Sequence, residues 1–120
     1  MEQNHKVLVI DDSPMVFKAV KRALEPEGFE LVGQAFNGQE GLELVSVLKP
    51  DAIVLDITMP IMDGIQTAEH LLRRDPATKI VIMSAMGDEE LVNKARRIGV
   101  KFFLTKPFKP EELVTCIRSI

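Results

Sequence analysis

Five short apolar runs constrain this chain more than anything else in it: Val7 to Ile10, Leu31-Val32, Ala52 to Leu55, Ile80 to Met83 and Phe102 to Leu104. Most are rich in β-branched residues and continuous rather than alternating, the pattern of strands buried on both faces. Gly33 interrupts the second run, as suits an edge strand or a bend. Amphipathic stretches with helix punctuation fill the gaps. Ser13-Pro14 reads as N-cap and first-turn proline ahead of Val16, Phe17, Val20 and Leu24, with Pro26 and Gly28 closing that helix. Asn37 can cap a second helix, whose Leu44, Val45 and Leu48 turn inward before Pro50. Asp63 caps a third, carrying Ile65, Ala68, Leu71 and Leu72, with Pro76 beyond. Asp88-Glu89-Glu90 open a fourth, and Lys94, Arg96 and Arg97 close it, matching the helix dipole at both ends; Gly99 stops it. Pro110-Glu111-Glu112 open a fifth, bearing Leu113, Cys116, Ile117 and Ile120. Strand and helix alternating five times predict an α/β fold, a doubly wound five-stranded parallel sheet in the order 2-1-3-4-5. A closed barrel needs about 250 residues, and this chain has 120.

Composition narrows the function classes. A chain of this length is one domain, 1–120, and buries roughly two-thirds of the surface its unfolded form exposes. A single cysteine, Cys116, excludes an intramolecular disulfide framework and a multi-cysteine zinc site, and its helical spacing reads as packed core. His5 precedes the first strand and His70 lies within a helix, with no metal-ligand spacing between them. The net charge of −3 offers no broad basic surface to nucleic acid. No apolar run reaches the ~20 residues of a membrane span. Glu2 stands where a secretory leader would be basic, so the expected location is cytoplasmic.

In open α/β sheets, ligands bind beyond the carboxyl ends of the strands, where the strand order reverses. Asp11 and Asp12 follow the first run, Asp56 the third, Ser84-Ala85 the fourth, and Thr105-Lys106-Pro107 the fifth. Three carboxylates, a hydroxyl and an ammonium therefore converge on one edge. Two like charges ~4 Å apart cost roughly 4 kcal/mol at an effective dielectric of 20. Such a cluster calls for a compensating cation, a raised pKa or a function. All-oxygen donors without Cys or His favour a hard cation, and a sparse set with room for water favours Mg²⁺. A carboxylate beside Mg²⁺, a lysine and a hydroxyl is a phosphoryl-acceptor site, with the metal, Lys106 and Ser84 stabilising the transferring oxygens. The chain has no phosphate-binding P-loop or kinase signature, so the phosphoryl group must come from outside.

These residues resemble a known family. Asp11-Asp12, Asp56, Pro60-x-x-Asp63-Gly64, Ser84-Ala85 and Lys106-Pro107-Phe108, in this order and at this spacing, look like the receiver domain of two-component response regulators. The likeness is greatest to the single-domain chemotaxis regulators. The resemblance covers essentially the whole chain and implies a flavodoxin-like (βα)5 fold. It implies Asp56 as phosphoacceptor, Asp12 as direct Mg²⁺ ligand, Asp11 as the acid holding the ion through water, and the Thr58 backbone carbonyl as a further ligand. Ser84 matches the switch hydroxyl, Lys106 the phosphate-binding lysine and Phe103 the aromatic switch residue. The Lys106-Pro107 bond would be cis. Phe103 stands where chemotaxis regulators often carry tyrosine. Met86, at a position that tunes hydrolysis, cannot orient a water, so autodephosphorylation is expected to be slow.

The implied partners are a histidine kinase as donor, a target protein that reads the face of the fourth helix, fifth strand and fifth helix, and a phosphatase. Neither nucleic acid nor membrane is engaged by this domain alone, and a monomer or weak dimer is expected. The alternative is a receiver domain cut from a longer regulator. A flavin carrier on the same fold would need a phosphate-cradling first loop, where Asp11-Asp12-Ser13-Pro14 is acidic, and aromatic stacking, where Trp and Tyr are absent. A haloacid-dehalogenase-type phosphatase would need a second acid at Thr58. Against a receiver that accepts no phosphate stands the complete constellation.

Overall fold

Alternation along the strands decides where each core sits. The computed structural model describes residues 5–120, so the reading of Glu2 lies outside the described residues. In chain order the elements are β1 (His5–Ile10), α1 (Pro14–Leu24), a 3-10 turn (Glu25–Glu27), β2 (Phe29–Ala35), α2 (Gly38–Leu48), β3 (Ala52–Asp56), α3 (Gly64–Arg74), β4 (Ile80–Ser84), α4 (Glu89–Arg97), β5 (Phe102–Thr105) and α5 (Pro110–Ser119). All strands pair in parallel, in the expected order β2-β1-β3-β4-β5. One face of the sheet presents Leu8, Ile10, Ile53, Leu55, Ile80 and Ile82, and α2, α3 and α4 cover it with Leu42, Leu71 and Ala95. The other presents Val7, Val9, Val54, Val81 and Met83, under α1 and α5 through Val20, Leu24, Leu113 and Ile117. The larger Leu and Ile side chains lie beneath three helices and the slimmer valines beneath two.

β2 is an edge strand, one of the two readings Gly33 allowed; it runs through that glycine to Ala35, and the register with β1 shifts between Val7 and Leu8, leaving Val32 as an inserted residue. Two details differ from the sequence reading. His5 is the first residue of β1 rather than a residue before it, opposite Phe29, whose ring meets the imidazole edge-on at 5.9 Å. The most buried apolar side chain of α2 is Leu42, while Leu44, Val45 and Leu48 pack at its margin.

The helices begin on their predicted signals. Ser13 Oγ accepts the Val16 N–H (3.3 Å), and Asn37 Oδ1 accepts that of Glu40 (2.9 Å). Asp63 and Gln66 form a reciprocal capping box (2.8 and 3.1 Å). At α5 the Glu112 carboxylate accepts the Lys109 N–H at 2.7 Å. Asp88 departs from this pattern. It precedes α4 without capping it, and its carboxylate accepts the Ala85 N–H (2.8 Å), tying the turn that follows Ser84.

Lys49 ends α2 in the left-handed region, at φ 49° and ψ 60°. A Cβ is costly there and glycine is not. Lys49→Gly is expected to stabilise the fold by about 0.5–1 kcal/mol, seen as a higher urea midpoint at unchanged slope. A lower midpoint would mean that the lysine stem holds more than its backbone costs.

Candidate functional site

The strand ends deliver their charges to one place. Asp11 follows β1 directly and is fully buried. Its N–H donates to the Ala35 carbonyl at 2.9 Å, continuing the ladder with β2. One carboxylate oxygen accepts the Ser13 N–H (2.8 Å), and the other meets Lys106 Nζ at 3.2 Å. Asp56, the last residue of β3 and 8% exposed, places Oδ1 3.1 Å from the same ammonium. Lys106 is set by its own backbone, which donates to the Ser84 carbonyl at 2.7 Å and extends β5 beside β4; the Lys106–Pro107 peptide is cis.

Strand periodicity explains this grouping. Asp11 continues the alternation of Val7 and Val9, Asp56 that of Val54, and Lys106 that of Leu104. All three share one face. Ser84 continues Ile80 and Ile82 on the other face. It is buried, and no described residue hydrogen-bonds its hydroxyl. The structure thus joins Asp11, Asp56 and Lys106 by direct bonds and places Ser84 on the adjoining strand end. Thr58 is exposed two residues past Asp56. Phe103, half-buried, packs against the core under α2, α3 and α4.

Asp56 is electrostatically strained. Burial, reinforced by the Asp11 charge, lifts the Asp56 carboxyl above its usual range, against the pull of Lys106 and of the Thr58 N–H. Burial works against the Lys106 ammonium, but Asp56 and Asp11 outweigh it and hold its pKa above the ordinary lysine value.

The donor set fits a hard divalent cation. Asp11, Asp12 and Asp56 each offer a carboxylate oxygen, all within 4.8 Å of one another, and Asp12 is exposed. Opposite ligands of a Mg²⁺ octahedron stand about 4.2 Å apart, twice its metal–oxygen distance. A small contraction, or a water between one acid and the ion, satisfies that geometry. Lone acidic clusters are common, but here two of the acids are buried and share a single ammonium.

Three supports of the site went unread in the sequence. The Gln34 amide donates to the carbonyls of Asp11 (2.9 Å) and Ser13 (3.1 Å), pinning the acidic loop to β2. No pattern singles out a glutamine on an edge strand. Gly64 does more than open a helix: a Cβ there would overlap the Asp56 carbonyl oxygen and lie 2.7 Å from the Ile57 Cα, while its N–H donates to the Ile57 carbonyl at 3.0 Å. The Asp63-Gly64 pair was the available signal. Arg96, read only as a dipole complement, lies over the Phe103 ring. His70 is exposed on α3, and the half-buried Cys116 thiol, pushed up by burial, packs against the core under α1 and α5.

Comparison with known proteins agrees with this geometry. Residues 7–118 match the response regulator receiver domain family. The chain is 37% identical over 115 residues to the chemotaxis protein CheY of Thermotoga maritima, covering 96% of each. It superposes with a TM-score of 0.90 and 30% identity on the crystal structure of the CheX–CheY–BeF3–Mg²⁺ complex from Borrelia burgdorferi, covering 98% of this chain and 89% of that one. It also aligns with NtrX from Brucella abortus (TM-score 0.89, 27% identity), where 98% of this chain spans 26% of the longer one. No helix among the described residues is long and apolar enough to cross a membrane.

Proposed function

The chain belongs to the response regulator receiver family, and on that premise we propose that Asp56 is the residue that takes the phosphoryl group. The protein is a phosphorylation-dependent switch of a two-component system, of the chemotaxis type. The observation that carries the assignment is the shared ammonium: Lys106 binds Asp56 and Asp11 at once, beside the exposed Asp12, at the carboxyl ends of the strands.

In the proposed reaction an Asp56 carboxylate oxygen attacks the phosphorus of a phosphohistidine. The P–N bond breaks as the O–P bond forms, and the imidazole, already protonated on its other ring nitrogen, leaves as the neutral ring with the bonding electron pair. Lys106 pairs with the phosphoryl oxygens as charge moves onto them, and the free Ser84 hydroxyl donates to one of them. Asp12, Asp56 and the Thr58 carbonyl would hold a Mg²⁺ directly and Asp11 through water. The chemistry such an ion supplies is neutralisation between the carboxylates and the incoming phosphoryl oxygens. Met86, 89% exposed and apolar, orients no water toward the acyl phosphate, which supports slow loss of the group without a phosphatase.

The same reading extends to partners and place. A histidine kinase donates, and a target protein reads the face of α4, β5 and α5 after Ser84 and Phe103 shift. The chain acts as one receiver domain over 1–120, as a monomer or weak dimer in the cytoplasm, and touches neither nucleic acid nor membrane. Acetyl phosphate with Mg²⁺ should label the wild type by the mass of one phosphoryl group. Asp12→Ala should raise the Mg²⁺ needed for half-maximal labelling by roughly 10–100-fold. An unchanged Mg²⁺ dependence in that variant would place the metal elsewhere.

A further inference from the structure

Outside the acceptor site, one contact joins a charged surface residue to the proposed switch. The Arg96 guanidinium carbon sits 4.7 Å from the centroid of the Phe103 ring. Arg96 is exposed on α4 and forms no ion pair with any described residue. Phe103 pairs with Ile82 in the ladder, and Ser84 is the next residue of β4 on the same face of the sheet. The ring therefore lies between α4, which supplies its cation, and the strand that carries the switch hydroxyl. Phenylalanine has no hydroxyl through which a hydrogen bond could fix its orientation. The cation over its face is the one polar contact made to the ring among the described residues.

We propose that Arg96 is a positioning residue: its stack on Phe103 sets the resting orientation of the ring, and phosphorylation must break that stack to move the ring toward Ser84. This rests on reading Ser84 and Phe103 as the switch pair of the Asp56 site. The ring then leaves the guanidinium, so α4 presents a stacked arginine before phosphorylation and a free one after it. An exposed cation–π stack shifts a two-state equilibrium about two- to five-fold, which is the size of brake Arg96 exerts.

The experiment uses the full chain, with and without beryllofluoride and Mg²⁺, followed by NMR of the arginine side chains. In the untreated protein the Arg96 δ protons should lie upfield of those of the other arginines, shifted by the ring beneath them. Beryllofluoride should return them to the ordinary position, and Phe103→Leu should do so without it. Arg96→Gln should label with acetyl phosphate about two- to five-fold faster, while Arg96→Lys, which keeps a cation, should stay closer to wild type; matching thermal melts would show both variants folded. Wild-type labelling with Arg96 signals that do not move, or wild-type rates in Arg96→Gln, would overturn this inference alone. A wild type that takes no label would remove the acceptor reading and this one with it.

Discussion

Asp56→Asn incorporates no phosphoryl group from acetyl phosphate in Mg²⁺, under conditions that label the wild type. The substitution preserves shape and replaces a nucleophilic carboxylate oxygen by an amide. Equal labelling of both proteins would end the acceptor assignment, because Asp11 or Asp12 would then be taking the group. The same variant carries a second expectation. The folded protein raises the Asp56 pKa above 3.8, so it holds that proton more tightly than the unfolded chain does. The contribution of this group to stability is greatest below the unfolded value and falls as pH rises through the folded one. At pH 7 the ionised carboxylate works against the fold. Asp56→Asn removes it while Lys106 keeps Asp11 as its partner, and should raise the melting temperature without Mg²⁺. Mg²⁺ should then stabilise the wild type more than the variant, since ligand linkage follows affinity. A melting temperature at or below wild type would mean that Asp56 contributes more through Lys106 than it costs through Asp11.

Gly64→Ala should be the most damaging single methyl group in the molecule. Its Cβ meets main-chain atoms of Asp56 and Ile57, which cannot rotate aside as a side chain would. Either α3 lifts from the sheet or the end of β3 is displaced. The expected cost is about 3 kcal/mol, the upper part of the range for overpacking, or roughly 10–15 °C in Tm. At a temperature where the variant remains folded, labelling of Asp56 should fall at least about ten-fold, because its carbonyl and carboxylate share one displaced residue. Normal labelling in a destabilised variant would show that α3 yields and the acceptor does not move. Asp63→Ala provides the comparison: it removes the helix cap at about 1 kcal/mol and leaves the contact with β3 in place.

The contrast between these neighbours shows what a sequence conveys. Asp63 was legible because capping is local chemistry, decided within four residues. The parallel sheet was legible for a related reason, since continuous apolar runs with helical spacers admit few arrangements. Asp11, Asp56 and Lys106 were legible once strand ends were known, because sheet topology gathers them. What stayed hidden depends on distances between segments far apart in the chain. The contact that fixes Gly64 is with the backbone of β3. Gln34 reaches across from another strand, and Arg96 finds Phe103 only through the tilt of α4. Asp88 differs in the opposite sense: it was read with the acids that open the fourth helix, but the turn after Ser84 takes its carboxylate.

The strand order also decides where the counter-charge of the site comes from. β1 lies between β2 and β3, so Asp11 and Asp56 follow adjacent strands in the middle of the sheet. β5 is the far margin, and its continuation supplies Lys106, 95 residues after Asp11 and 50 after Asp56. The repulsion between two central acids is thus offset by a residue held on an edge strand, and loosening β5 from β4 would expose it. The lysine that is proposed to bind the phosphoryl group doubles as a clasp between the middle of the sheet and its margin.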